Sequence, residues 1–417
     1  MILRMLLLLF LVADAAAVAT PRRPFPQHVA YAAGTIAPDH RAQSQQDADV
    51  RAYYDAWKAS YLLAAGPAAD GGTLYRVSFG ATNPARTVSE GQGYGMMIVA
   101  CMAGHDQAAQ TLFDGLWKFA RKYPSGIDSR LMAWQVPLVE AQNASAFDGD
   151  NDIAYALLLA DAQWGSDGSI NYRAAALQVI AGILASTIGP DSRLPTLGDW
   201  VQFNGEKHNQ YTPRSSDFMP THFRAFHQAT GDAVWGRVVE EVQRVIGSIQ
   251  ANHSPTTGLL PDFIVMTAGV PRPAPPDFLE KPVDGAYSYN AGRDPWRLGA
   301  DALLNSDATS LAQTQRMARW ILAATGGDPL RIRAGYLLDG TPLPGSDYFT
   351  SFFAAPFGVA AMTEPSQQRW LNAIYDSVYA RHEGYYEDSV TLLSLLVMTR
   401  NSWQPGLVKG KRRAVVR

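Results

Sequence analysis

The chain has 417 residues, 47% hydrophobic and 11% aromatic, enough apolar material to bury a large core and too much for a disordered chain. Its formal net charge is −3, and Lys409, Lys411, Arg412, Arg413 and Arg417 crowd the last nine residues, so the rest of the chain is more acidic still and repels nucleic acid. A single cysteine, Cys101, cannot build an internal disulfide, which leaves packing to supply the stability.

From the amino terminus, Arg4, the apolar run Met5 to Val12 and the small residues up to Ala19 read as a secretory leader, too short to span a bilayer. No later segment holds eighteen uninterrupted apolar residues, so the expectation is a soluble exported monomer, off the membrane once residues 1–19 are removed. A Pro-rich stretch, Thr20 to Pro26, opens a single domain over 20–403, and 404–417 forms a solvated basic tail.

Apolar residues at three- and four-residue spacing predict twelve helices, over 47–65, 90–104, 109–122, 150–164, 171–186, 217–231, 233–248, 290–304, 308–324, 349–362, 367–380 and 386–400. Cys101 falls in the second, as buried filler. Strand signals are sparse and short, such as Thr73 to Ser78 and Gly335 to Asp339. The class is all-α, and twelve similar helices suggest six hairpins closing on one another. A solenoid of helix pairs competes, but no fixed-period repeat supports it. The connections 187–216 and 249–289 are long enough to carry function.

Three segments hold the chemistry. In Ser89-Glu90-Gly91-Gln92-Gly93-Tyr94-Gly95 the glycines fit neither a dinucleotide fingerprint nor a Walker loop, and no strand leads into them. The residues alone leave two readings of Glu90: a catalytic acid, or a first-turn dipole partner behind a capping Ser89. In Asp148-Gly149-Asp150-Asn151-Asp152 an apolar helix follows at once, which excludes an EF-hand, and at least one aspartate is expected to cap that helix. Around Tyr289-Asn290-Ala291-Gly292-Arg293, aromatic faces and hydrogen-bonding side chains suit a sugar ring. The eight histidines give no metal motif, and His222 and His227 are wrongly spaced to share one helix face. Neither a metal nor a cofactor is expected.

SEGQGYGM (Ser89 to Met96), LMAWQV (Leu131 to Val136), DGDND (Asp148 to Asp152), SDFMP (Ser216 to Pro220), YNAGRDPWR (Tyr289 to Arg297) and YYEDSV (Tyr385 to Val390) follow one another in an order that resembles glycoside hydrolase family 8, from about Ala32 to Trp403. The resemblance implies an (α/α)6 barrel and endo-acting, inverting hydrolysis of a β-1,4-linked polysaccharide: a β-glucan, with chitosan as the alternative. A protein that merely binds glycans is the reading from another class, and the retained Glu90 and Asp148 weigh against it.

The same resemblance makes Glu90 the general acid and Asp148 the residue at the distorted sugar, with Trp134, Tyr289, Asn290, Arg293 and Tyr94 binding substrate. Many members carry an aspartate as general base where this chain has Asn290, and an amide cannot take a proton. In the resembling subset the base lies in the loop just upstream. Here that means Glu280, favoured for its reach, or else Asp277 or Asp284.

Overall fold

Four of the helices have scarcely an exposed residue, and that places them inside. In the computed structural model, which describes residues 19–139 and 143–406, the helices are α1 (Gln43–Tyr61), α2 (Ser89–Met102), α3 (Ala109–Lys122), α4 (Phe147–Trp164), α5 (Tyr172–Ser186), α6 (Pro220–Thr230), α7 (Val234–Asn252), α8 (Asp294–Asn305), α9 (Ala308–Thr325), α10 (Ser351–Ala361), α11 (Gln368–Val378) and α12 (Tyr385–Met398). Every residue of α4 and α10 is buried, and α2 and α12 are nearly so. A helix without a polar side must be covered all round.

The even-numbered helices pack in succession, and α12 returns to α2, which closes an inner ring. The odd-numbered helices each lie against an even partner from outside. On α7 the buried set Val234, Trp235, Val238, Val242, Val245, Ile246 and Ile249 follows helical spacing, so one face goes inward and the other to solvent. Each such aliphatic side chain contributes about 1.5–3 kcal/mol on burial. The fold is an (α/α)6 barrel.

Close approach in the inner ring depends on glycine. A Cβ on Gly93 of α2 would lie 2.6 Å from Asp152 Cβ and 3.1 Å from the Gly149 carbonyl, and one on Gly149 of α4 would run into Ser89. Gly93 and Gly149 therefore let the first turns of α2 and α4 lie against each other, while Gly91 makes room for Tyr385 and Gly95 for Val77.

Several local expectations are corrected. The first helix ends at Tyr61, and Leu62–Pro67 (β1) pairs antiparallel with Thr73–Val77 (β2), because an apolar run too short to show a period takes its form from a partner. Gly335 to Asp339 is not a strand: Tyr336 bridges singly to Tyr287 and Pro342, and positive φ at Gly335 and Gly340 turns the chain away at both sides. Contrary to the expectation that no strand leads into the glycine motif, Thr87–Val88 (β3) runs straight into α2 and pairs antiparallel with Gln135–Val136 (β4), and Ile264–Thr267 (β5) pairs with Val270–Pro273 (β6) inside one long connection. Ser89 is not a cap, since α2 begins at it after Val88, and none of the three aspartates caps α4, whose N-cap is Ala146.

Cys101 is buried, and burial pushes its thiol up to about 12. Residues 1–18 of the expected leader (1–19) and residues 407–417 of the expected basic tail (404–417) lie outside the described residues, among which no helix is long and apolar enough to cross a membrane.

Candidate active site

One end of the barrel opens into a cleft of about 1050 Å³. Its walls come from the starts of inner helices: Ser89 and Glu90 from α2, Ala146 and Asp148 from α4, Tyr289, Asn290 and Arg293 just before α8, and Gly384 to Glu387 around the start of α12. Helix N-termini offer free N–H groups and favour negative charge, so carboxylates and sugar hydroxyls are suited to this end.

Arg293 is the hub. It is buried, and its guanidinium donates to Glu90 Oε1, to Asp148 Oδ2 (3.0 Å), to Ser216 Oγ (2.7 Å) and to Asn290 Oδ1 (3.2 Å), while Nε donates to the Asn290 carbonyl (3.2 Å). Glu90 also accepts from Tyr94 Oη (2.9 Å).

The two carboxyls held by Arg293 are driven apart. Burial pushes Glu90 up to about 7; Arg293 opposes this, and the charge of Asp148 reinforces it. Burial works on Asp148 in the same sense but loses to the guanidiniums of Arg214 and Arg293, which bring it down to about 2. Near neutrality one carboxyl can hold a proton and its neighbour cannot. Such a divergence suits a proton donor beside a fixed negative charge.

Asn290 joins this centre to the upstream loop. Its Oδ1 accepts from Arg293 and from Arg214 (3.3 Å), and its Nδ2 donates to Glu280 Oε2 at 3.1 Å. Glu280 and Leu279 line the cleft; Asp277 and Asp284 do not. Asp277 is exposed on the outer side of its turn. Asp284 is buried with its carboxylate already occupied by backbone N–H groups. Of the three loop acids, Glu280 alone lines the cleft that Glu90 also lines.

Trp134 and Tyr289 line the cleft, and Tyr289 stacks on Phe352 while its hydroxyl meets that of Tyr348 (3.0 Å). Tyr94 does not line it: the side chain is buried beneath Glu90 and holds that carboxyl instead of a substrate. Arg293, too, is turned to its carboxylate partners.

Arg214, Asp217, Trp200 and Glu387 escaped the sequence reading. Arg214 spans Asp148 (3.5 Å), Asn290 and Asp217 (3.4 Å), and burial lifts Asp217 to about 7 despite that guanidinium. Ser216 and Asp217 belong to the SDFMP motif, which flagged the segment but not its role. Glu387 likewise belongs to the YYEDSV motif, which flagged the segment but not its role, whereas Trp200 gave no signal, since it sits in an ordinary local sequence and reaches the cleft only through the fold. Away from the cleft, Asp152 is held by Arg297 (2.6 Å) and His222 (2.9 Å), and no group of three potential metal ligands occurs among the described residues.

Residues 24–400 match the family model described as glycosyl hydrolases family 8. A beta-glucanase of Niallia circulans is 44% identical over 392 residues, 93% of this chain and 93% of that protein. An endoglucanase of Bacillus sp. (strain KSM-330) is 40% identical over 398 residues, covering 93% of this chain and 83% of its own. The apo beta-1,3-1,4-glucanase from Paenibacillus sp. X4 superposes with a TM-score of 0.87 at 43% identity, over 92% of this chain and all of that one.

Proposed function

The chain belongs to glycosyl hydrolases family 8 and is an endo-acting glucanase, and on that premise we propose that it cuts β-1,4 linkages of a mixed-linkage or cellulose-type β-glucan with inversion. Glu90 is the general acid, Glu280 the general base, and Asp148 the ionised group beside the reacting sugar. One observation carries this reading: Glu90, lifted to about 7, and Glu280 line the same cleft, joined through Arg293 and Asn290.

Inversion needs an acid and a base far enough apart for a water between base and anomeric carbon, roughly 6.5–9.5 Å in such enzymes. Glu280 takes a proton from water, the oxygen bonds to the anomeric carbon as the glycosidic bond breaks, and Glu90 protonates the departing oxygen. Positive charge growing on the sugar ring is met by Asp148, whose charge Arg214 and Arg293 secure. Trp134, Trp200 and Tyr289 supply aromatic surface for neighbouring sugars. The leader at 1–19 supports export, and the chain acts as a monomer.

The test is hydrolysis of lichenan, carboxymethyl-cellulose, chitosan and xylan side by side, with viscosity and reducing ends followed together. A β-glucan should lose viscosity well before reducing sugar accumulates, and proton NMR should find the α-anomer first. Initial β-anomer rules out inversion. Turnover of chitosan alone replaces the substrate.

A further inference from the structure

The carboxylate of Asp284 lies out of reach of any substrate, yet three successive backbone N–H groups converge on it. Its Oδ2 accepts from Leu279 (2.7 Å) and Glu280 (2.9 Å), and its Oδ1 accepts from Lys281 (3.0 Å). Around it the loop closes on itself, since the N–H groups of Asp277 and Asp284 both donate to the Lys281 carbonyl (3.0 and 3.1 Å). The Asp284 carbonyl accepts from Phe263 (2.9 Å), which ties the loop to the residue before β5. Phe278 anchors the other side in a small apolar cluster with Leu197, Val201, Phe263 and Ala274.

We propose that Asp284 is a positioning residue for the general base: its carboxylate fixes the backbone of 279–281 and so presents Glu280 to the cleft before substrate arrives. The inference rests on the reading of Glu280 as the base. Glu280 is an exposed side chain whose hydrogen-bonded side-chain partner is Asn290. With that single anchor, where its carboxylate lies depends on the backbone that carries it. The same three peptides set Leu279, which lines the cleft, and Lys281, whose ammonium sits 5.5 Å from the Tyr289 ring centroid. Converging N–H groups prefer an ionised acceptor, and an amide in its place turns at least one donor against another donor.

The test is a double-mutant cycle on the full chain. Asp284→Asn should lower kcat about 10- to 100-fold, the scale of a group displaced by about 1 Å, with KM changed less than about threefold. In a Glu280→Gln background the same substitution should cost almost nothing further, because it acts through a base that is already gone. An equal loss in both backgrounds, or a wild-type kcat for Asp284→Asn, overturns the inference. Wild-type protein supplies a readout that does not depend on the variant folding: the amides of Leu279, Glu280 and Lys281 should be protected from hydrogen exchange without substrate, and exchange at the rate of open chain refutes it. Near-normal turnover by Glu280→Gln instead removes the base assignment itself, a failure distinct from Asp284→Asn proving neutral while Glu280→Gln is damaging.

Discussion

Asn290 donates from Nδ2 to Glu280 at 3.1 Å while its Oδ1 faces two guanidiniums, Arg293 at 3.2 Å and Arg214 at 3.3 Å. The two arginines can only donate, so they fix which way the amide points, and its N–H₂ must face the carboxylate. Asparagine here is therefore the partner of Glu280, the proposed base. Glu280→Gln should cost about 10²- to 10⁴-fold in kcat, the usual worth of a general base. Retention of more than about half the activity would move water activation elsewhere.

Asn290→Asp should not restore a more familiar arrangement. It sets a second carboxylate against Glu280, and two acids at that distance share a proton. The acidic limb of kcat/KM should move upward by about one pH unit or more. An unmoved limb would show that Glu280 swings away from position 290.

As the proposed general acid, Glu90 has to carry its proton, and burial, reinforced by Asp148 against Arg293, lifts it to about 7. Activity on a β-glucan should hold below that pH and fall about tenfold per unit above it. An aryl glycoside with an acidic leaving group needs no donor, so the limb should vanish there, and Glu90→Gln should regain turnover on that substrate. Persistence of the limb assigns it to another group.

The same shift predicts a stability effect. A carboxyl raised from 4.5 to about 7 is disfavoured as an anion in the fold, so stability is full below the unfolded value and declines as pH rises through the folded one. Glu90→Gln should therefore raise Tm at pH 8 and leave it almost unchanged at pH 4. A lower Tm at pH 8 would mean that Arg293 needs the Glu90 charge more than burial resists it.

Gly93→Ala places a methyl 2.6 Å from Asp152 Cβ with a backbone carbonyl close behind. Neither neighbour can withdraw as a flexible side-chain end would, so the variant should lose about 1–3 kcal/mol, read as a lower Tm. An unchanged Tm would mean that α2 and α4 separate without cost.

The number and type of the helices were legible in the sequence because outer helices such as α7 write their burial as a 3.6-residue pattern and inner ones such as α10 as unbroken apolar runs. Glu90 and Asp148 were legible too, since each stands at a helix start within a short, distinctive motif. Tertiary structure alone decided the rest. Closure required α12 to meet α2, a contact between residues some three hundred apart that no local pattern encodes. Arg214 and Trp200 became site residues, and Tyr94 ceased to be one, according to which side of a wall each side chain faced. Glu280, Asp277 and Asp284 are similar acids within eight positions of one another, and composition cannot rank them. Backbone hydrogen bonds can: three N–H groups turn Asp284 inward, and the same turn sends Glu280 out to Asn290.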